Sequence, residues 1–211
     1  QHRDELTYIG YPAPQRMVSR VSLRDDKTLF LFTFRSALAD KQPETNAEAK
    51  ALLRDVYGEM GWEVPDILHR LDDADDLYFD HVSQIHMARW CQGRVALVGD
   101  AAACASLLAG EGTGLAMLEA YVLAGELQQA GGDHNVAFRK YEERLQSFLR
   151  QKQESALTMV AFFAPKNRLQ MALARLAIQA TALPYLSQFL FGQMLQDDIE
   201  LPAYAVSDND N

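Results

Sequence analysis

The sequence predicts an α+β fold: an antiparallel-rich sheet first, then one strand, loop and helix, then a run of C-terminal helices. Three observations predict it. Two β-rich runs, MVSRVSL and TLFLFTF, are separated by the polar Arg24, Asp25, Asp26 and Lys27, which is a hairpin pattern. Residues 93–114, GRVALVGDAAACASLLAGEGTG, pass from a continuous apolar run into a glycine-rich loop, as a strand buried on both faces does where it ends. Beyond Asp133, apolar residues recur at helical spacing.

Composition narrows the function classes. At 211 residues and 48% hydrophobic, the chain can bury a sizeable core as one domain, or as one large domain with an appendage. A net charge of −9 and the lack of a dense Lys/Arg run argue against nucleic acid. Cys91 and Cys104 are too few for a disulfide framework and lack metal-site spacing, so both are expected as free thiols in a reducing cytoplasm. The opening QHRDELTY has no initiator Met and does not read as a secretory signal.

Each element can be justified in order. In TLFLFTF, Phe30, Phe32 and Phe34 fall on one face and Leu29, Leu31 and Thr33 on the other. The aromatic face reads as core; Phe30 and Phe32 are the candidates if it walls a substrate pocket instead. Residues 44–60, ETNAEAKALLRDVYGEM, predict an amphipathic helix with Ala49, Leu52, Leu53 and Val56 inward. PDILHRL predicts a shorter helix opened by Pro65.

The acidic DDADD at 72–76 lacks the EF-hand order and reads as a solvated loop, leading into LYFDHVSQIHMARW as a strand region. His81 and His86 would point to opposite faces of that strand, so no metal site is expected there. After Gly112 the helical face is Leu115, Leu118, Val122, Ala124 and Leu127, stopped by Gly131 and Gly132. Asp133 reads as the N-cap of the next helix, with Phe138, Tyr141, Leu145, Phe148 and Leu149 inward and its end at Phe163, before Pro165. Leu176 to Gln196 carries no charge but is broken by polar residues and Pro184. It reads as two packed helices, with a weak peripheral membrane contact as the alternative.

The glycine loop fails two common patterns. No Lys-Ser/Thr pair follows its last glycine, so it is no triphosphate loop. Its G-x-G-x-G spacing also misses the dinucleotide fingerprint. The full string does resemble the second flavin-binding motif of the FAD-dependent aromatic hydroxylases, the para-hydroxybenzoate hydroxylase family of monooxygenases. The shared pattern is strand, Gly-Asp-Ala-Ala, short loop, Gly-x-Gly and helix. Here it is Gly99-Asp100-Ala101-Ala102, then Gly110-Glu111-Gly112, then LAMLEAYVLAGEL, with a Trp and a Gly-Arg ahead of the strand. The resemblance is specific over residues 86–131 and looser on either side.

That resemblance implies FAD as cofactor, NAD(P)H as reductant, and hydroxylation of a small aromatic or polycyclic substrate with dioxygen. It makes Asp100, at the strand end after Gly99, the ligand of the ribityl chain. It brings Leu107, Gly110, Glu111, Gly112 and Thr113 to the flavin, with the Gly112 and Thr113 amides facing the edge that becomes anionic on reduction. No catalytic base is implied. Two positions depart from the family pattern: Ala103 stands where a His is usual and Leu107 where a Pro is usual.

The resemblance divides the chain. Residues 1–90 become mostly substrate-domain sheet with intervening helices, and 91–131 the last strand, Gly-Asp loop and helix of a Rossmann-like FAD domain. Residues 132–203 become a helical cover and 204–211 a disordered tail. The family's front βαβ unit with G-x-G-x-x-G has no counterpart here. The chain is therefore expected to be the C-terminal portion of a longer protein; a split enzyme whose N-terminal half is a second chain, and a degenerate homologue acting as an interaction module, are the alternatives.

Overall fold

The computed structural model describes residues 7–25, 27–74, 77–180 and 199–204. These form two compact units. One draws on the chain up to His81 and again from Val160; the other on Val82–Met159 and on residues 199–204.

The first unit is built on a three-stranded antiparallel sheet in the order β1 (Tyr8–Ala13), β2 (Arg16–Ser22) and β3 (Thr28–Phe34). The polar turn closes as the sequence predicts, with Leu23 N–H donating to Lys27 O at 2.8 Å and Asp25 at φ +60°. Register sets Val18 opposite Phe32 and Arg20 opposite Phe30.

Helix α1 (Asn46–Tyr57) begins at Thr45, whose hydroxyl accepts from Glu48 N–H at 3.2 Å, and buries Ala49, Leu53, Val56 and Tyr57. The rings of Phe32 and Phe34 stand edge-on to Tyr57 at 5.1 and 6.2 Å, a favoured aromatic geometry. Helix α2 (Val64–His69), with Pro65 in its first turn, adds Val64 and Leu68 to the same cluster.

On the other face Thr33 is buried and donates to Phe163 O at 3.0 Å, while Leu29 is exposed, so that face is covered in part. Arg35 Nε donates to Ala164 O at 2.8 Å, and α6 (Arg168–Ala180) follows. Of the acidic stretch 72–76, Asp72 and Asp73 are exposed at the end of a 3-10 turn (Arg70–Asp73), with Arg54 Nη2 2.7 Å from Asp72; Asp75 and Asp76 lie outside the described residues.

The second unit opens with a short antiparallel pair, β4 (Cys91–Gln92) and β5 (Val95–Ala96), joined through Gly93 at φ +58°. Then come α3 (Asp100–Ala103), α4 (Gly112–Gln129) and α5 (His134–Phe163). Helix α4 stops at Gly131 and Gly132, both at positive φ. Asp133 caps α5 by accepting from Asn135 N–H at 2.9 Å. The core joins Leu115 and Val122 of α4 to Tyr141, Leu145 and Leu149 of α5 and to Trp90. Each fully buried aliphatic side chain contributes about 1.5–3 kcal/mol.

Three expectations need correction. The stretch 77–90 forms no strand: Ile85 N–H donates to Cys104 O at 3.2 Å, which ties it to a loop, and Trp90 O accepts from Leu97 N–H at 2.9 Å only where the stretch enters β4. The apolar run Val95 to Val98 is strand only at Val95 and Ala96, and Val95 is 63% exposed. Among the described residues β4 is the only neighbour of β5, and nothing covers its outer side. On α4 the buried face takes in Glu119 and Glu126, while Ala124 is exposed.

Among the described residues no helix is long and apolar enough to cross a membrane; most of the uncharged stretch 176–196 lies outside them. Tyr204, the first residue of the expected tail, is held on α4, and 205–211 lie outside the described residues. Both cysteines are free thiols.

Candidate functional site

The site begins at one corner. Gly99 adopts φ +66°, ψ −142°, where a side chain is strained, and a Cβ there would lie 3.1 Å from Ala116 Cβ. The turn makes Asp100 the first residue of α3 and leaves it exposed. Asp100 Oδ1 sits 3.7 Å from where a Cβ on Gly112 would lie, so the carboxylate and the start of α4 are neighbours. Burial, then the nearby Asp100 carboxylate, raises the Cys104 thiol above its ordinary value.

Residues 104–111 form the loop between them. Ser106 sits at φ +143°, costly for a residue with a Cβ, and its hydroxyl accepts from Leu108 N–H at 3.2 Å. Leu107 projects 68% exposed. Gly110 takes φ +70° with open space where a Cβ would be. Helix α4 then starts, and the side-chain positions at Gly110 and Gly114 have nothing within 4 Å. First-turn amides have no partner within the helix, so Gly112, Thr113 and Gly114 present N–H groups at the positive end of the helix dipole.

Glu111 directly precedes that turn without capping it. Its carboxylate turns to Lys152 of α5, with Nζ 3.1 Å from Oε2. The back of the corner is held by Glu119, buried in α4. Gly99 N–H donates to Glu119 Oε2 at 2.6 Å, and the Tyr141 hydroxyl lies 3.0 Å from the same oxygen. Burial raises the Glu119 carboxyl above its ordinary value.

Gly99, Asp100, Leu107, Gly110, Glu111, Gly112 and Thr113 thus belong to one corner and loop of the second unit. Phe30 and Phe32 belong to the first unit, Phe32 in its core against Tyr57 and Phe30 half-buried opposite Arg20. Sequence reasoning missed Glu119, Tyr141 and Lys152 as members of the site. The signal for Glu119 was present: it lies four residues after Leu115 and three before Val122, on the apolar face itself. A cavity of about 240 Å³ opens beside Ala103, with Trp90, His86, Arg150 and Gln153 in its wall. His86 Nε2 is 3.0 Å from Gln84 Oε1, and no group of acidic, His and Cys side chains fit for a metal occurs among the described residues.

The FAD binding domain family matches residues 1–151, well over half the chain. The chain belongs to that family. Among curated relatives of this FAD binding domain protein, a flavin-dependent monooxygenase from an unknown prokaryotic organism is 41% identical over 142 residues, 67% of this chain and 37% of the relative. A flavin-dependent monooxygenase of Legionella longbeachae serogroup 1 (strain NSW150) is 39% identical over 145 residues, 69% of this chain and 37% of the relative. The crystal structure of tetracycline destructase Tet(51) superposes with a TM-score of 0.70 at 33% identity, covering 94% of this chain and 50% of that one. The chain spans little more than a third of the length of those relatives and half of that structure.

The residues present fit the family's cofactor. Asp100 offers an exposed carboxylate at the start of α3, where sugar-like hydroxyls can donate to it. At Gly110 and Gly114 the backbone leaves open space that a side chain would fill.

Proposed function

We propose that this chain is the C-terminal portion of a FAD-dependent monooxygenase of the para-hydroxybenzoate hydroxylase type, which uses NAD(P)H and dioxygen to hydroxylate a small aromatic or polycyclic substrate. The observation that carries it is the exposed Asp100 carboxylate beside Gly112, the first residue of the glycine-rich start of α4, in a chain of the FAD binding domain family. The polycyclic class is supported by the 33% identity to a tetracycline destructase across 94% of the chain.

Asp100 would hold the ribityl hydroxyls, and the Gly112 and Thr113 amides would hold the edge of the flavin that becomes anionic on reduction, where the helix dipole favours negative charge. Leu107 and the backbone of Gly110 form the adjoining wall. Bound FAD supplies hydride acceptance and oxygen activation; the chain's own residues bind, orient and shield it. The rest of the FAD domain, with the Rossmann-like sheet beside β5 and the pyrophosphate turn, comes from a further portion of the same polypeptide or from a second chain. On this reading the 211 residues alone are inactive and the intact protein is cytoplasmic.

The test is a visible spectrum after FAD addition and desalting. It is taken on the 211-residue chain alone, and on the chain co-expressed with the part of the Legionella longbeachae relative that it does not match. Flavin retained only in the complemented sample, with substrate-dependent NAD(P)H oxidation, is the expected result. A complemented sample that folds and stays colourless overturns the reading in favour of a non-catalytic interaction module.

A further inference from the structure

Three hydrogen-bonding groups meet behind the Gly99 corner, and their proton count decides the state of one of them. Gly99 N is 2.6 Å from Glu119 Oε2, and Tyr141 Oη is 3.0 Å from that same oxygen and 3.0 Å from Leu97 O. An amide N–H can only donate and a carbonyl oxygen can only accept; a phenol has one proton to give. With Glu119 ionised, Leu97 O and Glu119 Oε2 would both need that proton, and one contact would bring two acceptors together inside the core. With a proton on Oε2 every contact has one: Gly99 N–H donates to Oε2, Oε2–H donates to Tyr141 Oη, and Tyr141 O–H donates to Leu97 O.

The charges agree with the proton count. Glu119 is 1% exposed and makes no ion pair among the described residues. The titratable groups acting on it are Asp100 from α3 and Tyr141 from α5. Tyr141 in turn feels Cys91 of β4 and Glu142 of α5; none of these four is a cation. Two turns along the same helix, Glu126 is equally buried but has Arg144 Nε at 2.5 Å and Lys140 Nζ at 3.8 Å. A buried carboxylate without a cation or a full set of donors gives up its charge by taking a proton.

We infer that Glu119 is a positioning residue held as a neutral carboxylic acid, whose single proton closes the chain Gly99–Glu119–Tyr141–Leu97 and fixes the corner that presents Asp100. The two ends of that chain, Leu97 and Gly99, flank the last residue before the turn, so the network sets the backbone on both sides of Val98. It also keeps a second negative charge away from the Asp100 carboxylate.

The test uses the 211-residue chain and needs no flavin, so its failure and that of the flavin reading are distinguishable. Infrared spectra of the wild type across pH 5 to 8 should keep one protonated-carboxyl band after exposed acids have ionised. That band should vanish in Glu119→Gln and shift in Tyr141→Phe, which removes the acceptor. Should the Gln variant fail to fold, the Phe variant still assigns the band. Stability supplies the second readout. An acid whose folded pKa is raised holds its proton in the folded state and loses it in the unfolded one, so stability falls as pH rises between the two values. The wild type should therefore lose folding equilibrium relative to Glu119→Gln by up to about tenfold per pH unit above the ordinary carboxyl range. Absence of the band at pH 7, or a stability difference that is flat or rises with pH, overturns the inference.

Discussion

Lys152 reaches from α5 to the residue before the first turn of α4, its ammonium 3.1 Å from the Glu111 carboxylate and its side chain 12% exposed. It also lies over the Phe148 ring, 5.6 Å from the centroid. A negative charge at Glu111 would oppose any anion at the Gly112 amides, and Lys152 offsets it. Lys152→Met should cost about 1–3 kcal/mol in urea unfolding, the scale for a charge-assisted bond lost from a half-buried site. In the flavin-loaded complemented protein it should lower the flavin reduction potential, with Glu111→Gln restoring most of the loss. Spectroelectrochemical titration of the two single variants and the double variant checks both.

Asp100→Ala removes the carboxylate proposed to hold the ribityl hydroxyls. At about 1.5–3 kcal/mol for a charge-assisted hydrogen bond, FAD affinity should drop roughly ten- to a hundredfold. Fluorescence titration of FAD into the complemented variant measures it, and unchanged affinity removes Asp100 from the site.

Ser106 carries a Cβ at φ +143°. Replacing it with Ala keeps the strain and loses the hydrogen bond to Leu108 N–H; replacing it with Gly loses the bond and relieves the strain. Ser106→Gly should be more stable than Ser106→Ala by about 1–2 kcal/mol, within the range for such backbone strain. Thermal unfolding of the pair at one pH checks the order.

A Cβ on Gly125 would overlap the Tyr204 ring, so Gly125→Ala must displace it. That substitution should cost about 1–3 kcal/mol as overpacking. In a Tyr204→Ala background it should instead stabilise by about 1 kcal/mol, the helix preference of Ala over Gly. A double-mutant cycle in urea reads the change of sign.

Burial, then the Glu142 carboxylate, pushes the Cys91 thiol up to about 11. Stability tied to this thiol is present below the ordinary thiol pKa and falls as pH climbs from there toward 11. At pH 8 its thiolate fraction is on the order of one in a thousand, so Cys91 should resist iodoacetamide. Mass spectrometry after timed alkylation should find the less buried Cys104 modified first.

The corner at Gly99 and Asp100 was legible because backbone demands are written in single letters: glycines where φ is positive, small residues where elements approach closely. The ends of α4 and α5 were legible for the same reason, in Gly131, Gly132 and Asp133. Glu119 and Glu126 were not, because an apolar-periodicity reading assigns carboxylates to solvent. Their partners, Gly99 and Tyr141 for one and Arg144 and Tyr204 for the other, come from distant stretches of chain. The stretch from Leu77 to Trp90 misled for the opposite reason. Its β-rich composition measures a readiness to extend, and extension becomes a strand only beside a partner edge.

Tyr204 donates to Glu126 across 78 residues of sequence, its ring stands edge-on to Tyr121, and the Tyr121 hydroxyl donates to Pro202 O. The helix that begins at the glycine loop is therefore finished by residues made long after it. During synthesis the notch at Gly125 lacks the Tyr204 ring until residue 204 has emerged from the ribosome, 78 residues after Glu126.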